Sequence, residues 1–138
     1  MLVVLDTNVV VSGLWTPNGK AAQILNEVIA GKLRLCYDYR ILTEYREVLT
    51  RPKFKFSTWQ VDFLLEAFEK EGISVIAPSL SQVPFTDESD RAFYEVAKFC
   101  VVPLVTGNLK HFPEDDCVTT LASFYSRLTS AESAELGH

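Results

Sequence analysis

The stretch MLVVLDTNVVVSGL sets Asp6, Thr7 and Asn8 into an apolar run that otherwise looks built for burial. A charge in such a place needs a partner, because burying an unpaired carboxylate is heavily penalised. Three further segments carry comparable groups: Glu44 in ILTEYREVLTRPKF, Asp87 and Asp90 in DESDRAFYEVA, and Asn108 in PLVTGNLKHF. Acids drawn from separated segments to one place repel one another unless they are protonated or hold a cation. Oxygen donors without a His or Cys set suit Mg²⁺ or Mn²⁺ rather than zinc. His111 is the single internal histidine and His138 is terminal, which leaves little support for an imidazole-centred zinc site or a Ser-His-Asp triad. No glycine-rich phosphate-binding signature is present. The chemistry this pattern points to is metal-dependent hydrolysis of a phosphodiester.

Each residue also has a plainer reading. Asp6 could cap a following helix, as could Thr7 or Asn8. On a helical wheel, Ile41, Leu42, Tyr45, Val48 and Leu49 form one arc, with Glu44 at its border and Glu47 further outward. Glu44 either reaches over a sheet edge or pairs with Arg40 one turn away, a contact worth only a few tenths of a kcal/mol. Asp90 falls within the arc of Phe93, Val96, Ala97, Cys100 and Val101. It either faces inward or is a first-turn acid favoured by the helix dipole, with Asp87 or Thr86 as the cap. Asn108 stands where a strand turns, so it shares an edge with Asp6 or does ordinary turn chemistry. Gly107 would permit close backbone approach there.

The elements that must position these groups alternate between strand and helix. Leu2 to Leu5 reads as a buried strand, followed by a short helix from Val9 that ends near Gly13. A helix from Asn18 or Gly19 closes at Gly31, and LRLCY (33–37) is a second strand. YRILTEYREVLTR is helical until Pro52, and Ser57 caps a helix that runs to Gly72. ISVIAP, VPLVT and CVTT read as further strands, with helices over about 90–100 and in LASFYSRL. This alternation predicts an α/β fold whose parallel sheet is covered on both faces. In such sheets ligands bind beyond the carboxyl ends of the strands, which is where Asp6 falls.

The 138 residues fit one domain, expected over 1–128, with a disordered tail over 129–138. Hydrophobic residues at 48% and charged residues at 22% argue against a disordered or fibrous chain. The apolar runs are too short to span a bilayer. No basic segment precedes the first of them, so neither a cleaved leader nor a membrane association is expected, and the localisation expected is cytoplasmic. Cys36, Cys100 and Cys117 lack CxxC spacing and read as reduced core thiols. A net charge of −5 disfavours a bulk polyanion binder, yet a metal-holding carboxylate cluster is itself acidic before the cation arrives.

Over roughly residues 1 to 128 the chain resembles the PIN domain nucleases, especially small single-domain toxins of toxin-antitoxin pairs. The resemblance rests on VVLDTNVVVSGL, ILTEYREVLTRPKF, DESDRAFYEVA and PLVTGNLKHF in that order and spacing. It implies a three-layer α/β/α sandwich with a central parallel sheet of about five strands. It also implies cleavage of single-stranded RNA by water activated on Mg²⁺ or Mn²⁺. Asp6, Glu44 and Asp90 match the family's first three acids, and Asp87 could assist. Where the family typically has Thr-x-Asp, this chain has Thr106-Gly107-Asn108. An amide there removes a full negative charge, so a second cation would bind more weakly; Asp115 or Asp116 could compensate.

On this reading Asp6, Glu44 and Asp90 hold metal, Asn108 contacts a metal water or the scissile phosphate, and Thr7, Asn8 and Thr106 orient the acids. Lys110 and His111 are placed to meet a phosphate. Arg51 and Lys53, alternating with Phe54 and Phe56, could hold a strand by charge and stacking, or belong to a loop whose Phe residues enter the core. The resemblance implies a small antitoxin partner and often a homodimer. The helix from Ser57 to Gly72, with Trp59 and Phe63, is a candidate interface or plain core. The alternative function is a catalytically weak PIN-like module that binds RNA or protein without cutting.

Overall fold

Val3, Val4 and Leu5 are fully buried, and the next residue is the acid. In a computed structural model, which describes residues 1–136 and side chains through residue 133, this strand, β1 (Leu2–Leu5), is the middle of the sheet. Its partners are β2 (Arg34–Tyr37), β3 (Ile73–Ser74), β4 (Leu104–Thr106) and β5 (Val118–Thr120). The order is β3-β2-β1-β4-β5 and every pairing is parallel. Near-continuous apolar strands suit this arrangement, because helices cover both faces of a parallel sheet. Among the described residues six helices flank it: α1 (Thr7–Trp15), α2 (Lys20–Ile29), α3 (Tyr39–Leu49), α4 (Thr58–Glu71), α5 (Arg91–Cys100) and α6 (Leu121–Leu136). The expected three-layer α/β/α sandwich with five parallel strands is the fold observed.

The strand order also fixes where a site belongs. From β1 the chain winds outward to β2 and β3, then returns to place β4 on the other side of β1. Beyond the carboxyl ends of β1 and β4 the winding direction reverses, and this is where doubly wound sheets leave a crevice.

Several boundaries differ from the expected ones. Helix α1 begins at once at Thr7 and continues through Gly13 to Trp15. Gly13 marks close helix packing rather than a stop: a Cβ there would lie 2.4 Å from Leu25 Cδ1 on α2. ISVIAP contributes only Ile73–Ser74, an edge strand paired through Cys36↔Ile73 and Tyr37↔Ser74. Beyond it Ile76 is 93% exposed. A 3-10 turn over Glu88–Asp90 precedes α5, and another over Pro52–Phe54 follows α3. The tail expected to be disordered from 129 is instead helical through Leu136. Its Ala, Glu and Leu residues favour helix, and the Thr129 hydroxyl donates to the Tyr125 carbonyl at 3.0 Å. Positions 137 and 138 of that expected tail lie outside the described residues.

Candidate active site

The ends of β1 and β4 are side by side, with Leu5 opposite Val105, and the Asp6 amide donates to the Val105 carbonyl at 2.9 Å. Asp6 is 5% exposed. Its Oδ1 accepts the Thr7 amide at 2.8 Å, so it caps α1, while Oδ2 accepts the Thr106 hydroxyl at 2.8 Å. Asp6 therefore caps α1 while its carboxylate stands at the sheet edge. Thr106 is fully buried and also accepts the Asn108 amide at 3.0 Å. Asn8 Oδ1 accepts the Gly107 amide at 3.1 Å and ties the β4 turn to α1. Gly107 is not demanded by space, since an added Cβ would meet Asn8 at an ordinary 3.5 Å. Buried Tyr45 of α3 donates its hydroxyl to the Leu5 carbonyl, docking α3 against the same strand end.

Glu44 reaches this edge without a cation. Arg40, its expected one-turn partner, instead pairs with Asp38 at 2.8 Å and with Glu95 at 2.7 Å. Among the described residues Glu44 has no ion pair, whereas Glu47, further outward, faces Arg51 at 3.6 Å. Asp90 is 9% exposed and makes no capping bond to α5. Asp87 caps the preceding 3-10 turn instead, accepting the Ser89 amide at 2.9 Å and the Ser89 hydroxyl at 2.8 Å. The His111 ring lies near Asp90, with Nδ1 at 3.7 Å from Oδ2.

Asn108 does turn chemistry as well as edge chemistry. Its Oδ1 accepts the Lys110 amide at 3.3 Å, and its Nδ2 lies 2.9 Å from His111 Nε2. His111, expected to meet phosphate, stands between Asn108 and Asp90.

These acids act on one another electrostatically. Burial pushes Asp90 up to about 6, with further upward pressure from Asp6, Asp87 and Glu44 and relief from His111. Burial likewise raises Asp6, opposed by the Thr106 and Thr7 hydrogen bonds. Glu44 is raised by burial and then by Glu47, against Arg51, with Asp87 and Asp6 adding to the rise. Asp87 moves the other way because Ser89 hydrogen-bonds its charged form. Perturbed acids facing one another in a cleft are a mark of functional sites.

The donors are oxygens on partly or wholly buried acids without a strong cation, a set whose chemistry fits a hard divalent ion. Among the described residues, no three Asp, Glu, His or Cys side chains stand close enough together to form a metal-holding group.

Other candidates lie elsewhere. Asp115 is engaged by Lys98 and Tyr94, each at 2.8 Å, and by the Cys117 amide at 3.0 Å. That backbone bond and the Lys98 ammonium hold its carboxyl well below the usual range. Asp115 is therefore not free to replace the carboxylate missing at Asn108. Asp116 is exposed in the same loop. Lys110 is exposed beside Asn108, and Arg51 and Lys53 are exposed beside half-buried Phe54. Sequence reasoning missed the Asp38–Arg40–Glu95 network, although Asp38 directly before an apolar-periodic segment is an ordinary helix-start signal. It also missed Trp15, which lines a groove with Glu44, Thr7 and Asn8.

Neither a curated protein nor a solved structure matches the chain. A family model described as PIN domain matches residues 2–110. That stretch holds β1 through β4 together with Asp6, Glu44, Asp87, Asp90 and Asn108, and by it the chain belongs to the PIN domain family.

Proposed function

We propose that this chain is a metal-dependent endoribonuclease acting on single-stranded RNA, and that it serves as the toxin of a toxin-antitoxin pair. Family membership supports nuclease-type activity. The observation that carries the reading is a buried Asp6 at the β1/β4 switch point, facing raised Asp90 and Glu44. Asp6, Glu44 and Asp90 would hold Mg²⁺ or Mn²⁺, with Asp87 assisting from the rim. When bound, the cation supplies Lewis acidity and lowers the pKa of water.

The chain's own groups do the rest. Thr106 and the Thr7 amide fix both Asp6 oxygens, and Asn8 locks the turn that carries Asn108. The His111 ring stands beside Asp90, with Nδ1 3.7 Å from Oδ2. Lys110, Arg51 and Lys53 supply cations for the RNA backbone. Exposed Trp59 and Phe63 stack on α4 with centroids 5.5 Å apart, while Val61, Leu64, Leu65 and Phe68 fill the core. The exposed pair is the surface available to a homodimer or an antitoxin. No helix among the described residues is long and apolar enough to cross a membrane, and we place the protein in the cytoplasm.

Cleavage of end-labelled single-stranded RNA in Mn²⁺ tests this reading, with Asp6→Asn as the comparison. We expect loss on the order of 100-fold or more with the circular dichroism spectrum unchanged. Full activity in that variant removes the proposal. One observation favours a second reading, a binding module: Asn108 puts an amide at the fourth acidic position, and its oxygen is already engaged by Lys110. Tight RNA binding without cleavage in any divalent metal would favour that module.

A further inference from the structure

A groove of about 460 Å³ runs along α1 beside Glu44, a size within the ~300–1,000 Å³ of small-molecule pockets. At one end it shares Thr7, Asn8 and Glu44 with the site, and its apolar wall is made by Val11, Trp15, Val48 and Phe54. Trp15 is 56% exposed yet held in place. It meets Phe54 and Phe56 edge-on, at centroid distances of 5.6 and 6.0 Å and interplanar angles of 80° and 78°. Phe54 and Phe56 are themselves stacked at 5.5 Å and 9°. The Lys53 ammonium lies 5.0 Å from the Phe54 centroid, and exposed Arg51 stands at the near end of the same segment.

From this juxtaposition we infer that the groove is a nucleobase subsite: Trp15 stacks one unpaired base of a single strand whose backbone passes the acid cluster. The inference rests on the nuclease reading of that cluster. Three features select a base over an apolar side chain of a partner protein. The groove is continuous with the candidate active site, so its occupant must be joined to what lies at the acids. Cations border the aromatic wall, matching a phosphate backbone. A rigid, exposed aromatic ring accepts any base by its face, the recurring way in which single strands are gripped without a sequence code. The base held here would set the distance from the strand's anchored nucleotide to the bond beside Asp6.

The test uses full-length protein carrying Trp59→Phe, so that Trp15 is the remaining tryptophan. Asp6→Asn is added to prevent cutting. Single-stranded oligouridylate is titrated in, against the same strand with one abasic position moved along it. We expect quenching of Trp15 fluorescence, relieved when the abasic position reaches the groove. Trp15→Ala, read by anisotropy of the labelled strand, should weaken binding about 5- to 150-fold, and Trp15→Phe should restore most of it. Equal quenching by intact and abasic strands, as for a groove built for a partner's apolar side chain, overturns the subsite. Unchanged affinity in Trp15→Ala, or no binding of the strand at all, does the same. The nuclease reading is scored separately, on protein with Asp6 intact. Base-dependent quenching without cleavage keeps the subsite and removes the nuclease, while normal cleavage at unchanged positions in Trp15→Ala keeps the nuclease and removes the subsite.

Discussion

Replacing Asp90 by Asn should stabilise the metal-free protein. Asp90 is 9% exposed and its carboxyl is pushed from 3.8 up to about 6 by burial and by Asp6, Asp87 and Glu44. A folded-state pKa above the unfolded value means that the folded state holds the proton more tightly. The ionised form therefore weighs against folding above pH 6, and the handicap fades as pH falls toward 4. The full rise is worth up to about 3 kcal/mol. Losing an acid at the start of α5 removes ~0.3–1 kcal/mol of helix-dipole interaction, and partial solvent access trims the rest. The net gain for Asp90→Asn is then about 1–2 kcal/mol at pH 7.5, or roughly 3–10 °C in a domain of this size. Thermal unfolding in EDTA at pH 7.5 and pH 4 measures it: the gain should be present at the first and absent at the second. Saturating Mn²⁺ should reverse the order, because only the wild type keeps its full donor set. A loss of stability in EDTA at pH 7.5, or a gain that ignores pH, would refute the reasoning that Asp90 is a buried acid under pressure from Asp6, Asp87 and Glu44.

Two further outcomes follow from the same geometry. Glu95 is 2% exposed and accepts from Arg40 at 2.7 Å and from the Leu80 amide at 2.6 Å, so Glu95→Ala should cost about 2–4 kcal/mol. An unchanged urea midpoint would show that the Arg40 and Leu80 contacts of Glu95 do not stabilise the fold. Asn108→Asp adds a charge beside Asp90 and His111, lowering metal-free stability at pH 7.5 by ~0.5–1 kcal/mol. It should enlarge the thermal shift on adding Mn²⁺, and an equal or smaller shift than wild type would sink the view of Asn108 as a weakened ligand.

The sheet and its helices were legible because their signals are periodic: unbroken apolar strands, helical arcs in α3, α4 and α5, and caps such as Ser57. Gly13 misled because a glycine that admits Leu25 looks the same in sequence as one that stops a helix. The short β3 was hidden for a related reason. Its apolar residues continue past the point where β2 ends, so pairing stops while the pattern does not. At the site, Asp6, Glu44 and Asp90 were readable from strand ends and helix faces. What each acid touches was not, since Arg40 had an adjacent partner in sequence and took Glu95, 55 positions away, in space. The place of His111 and the wall made by Trp15 likewise depend on contacts between distant segments.

Crystals soaked in Mn²⁺, with anomalous scattering collected at the manganese edge, ask most directly whether the β1/β4 edge is a metal-dependent active site. We expect a manganese peak at Asp6 with Glu44 and Asp90 as neighbours, and loss of that peak in Asp6→Asn. No peak at this edge, in protein that still cleaves RNA in the same Mn²⁺ buffer, would contradict the assignment of these acids.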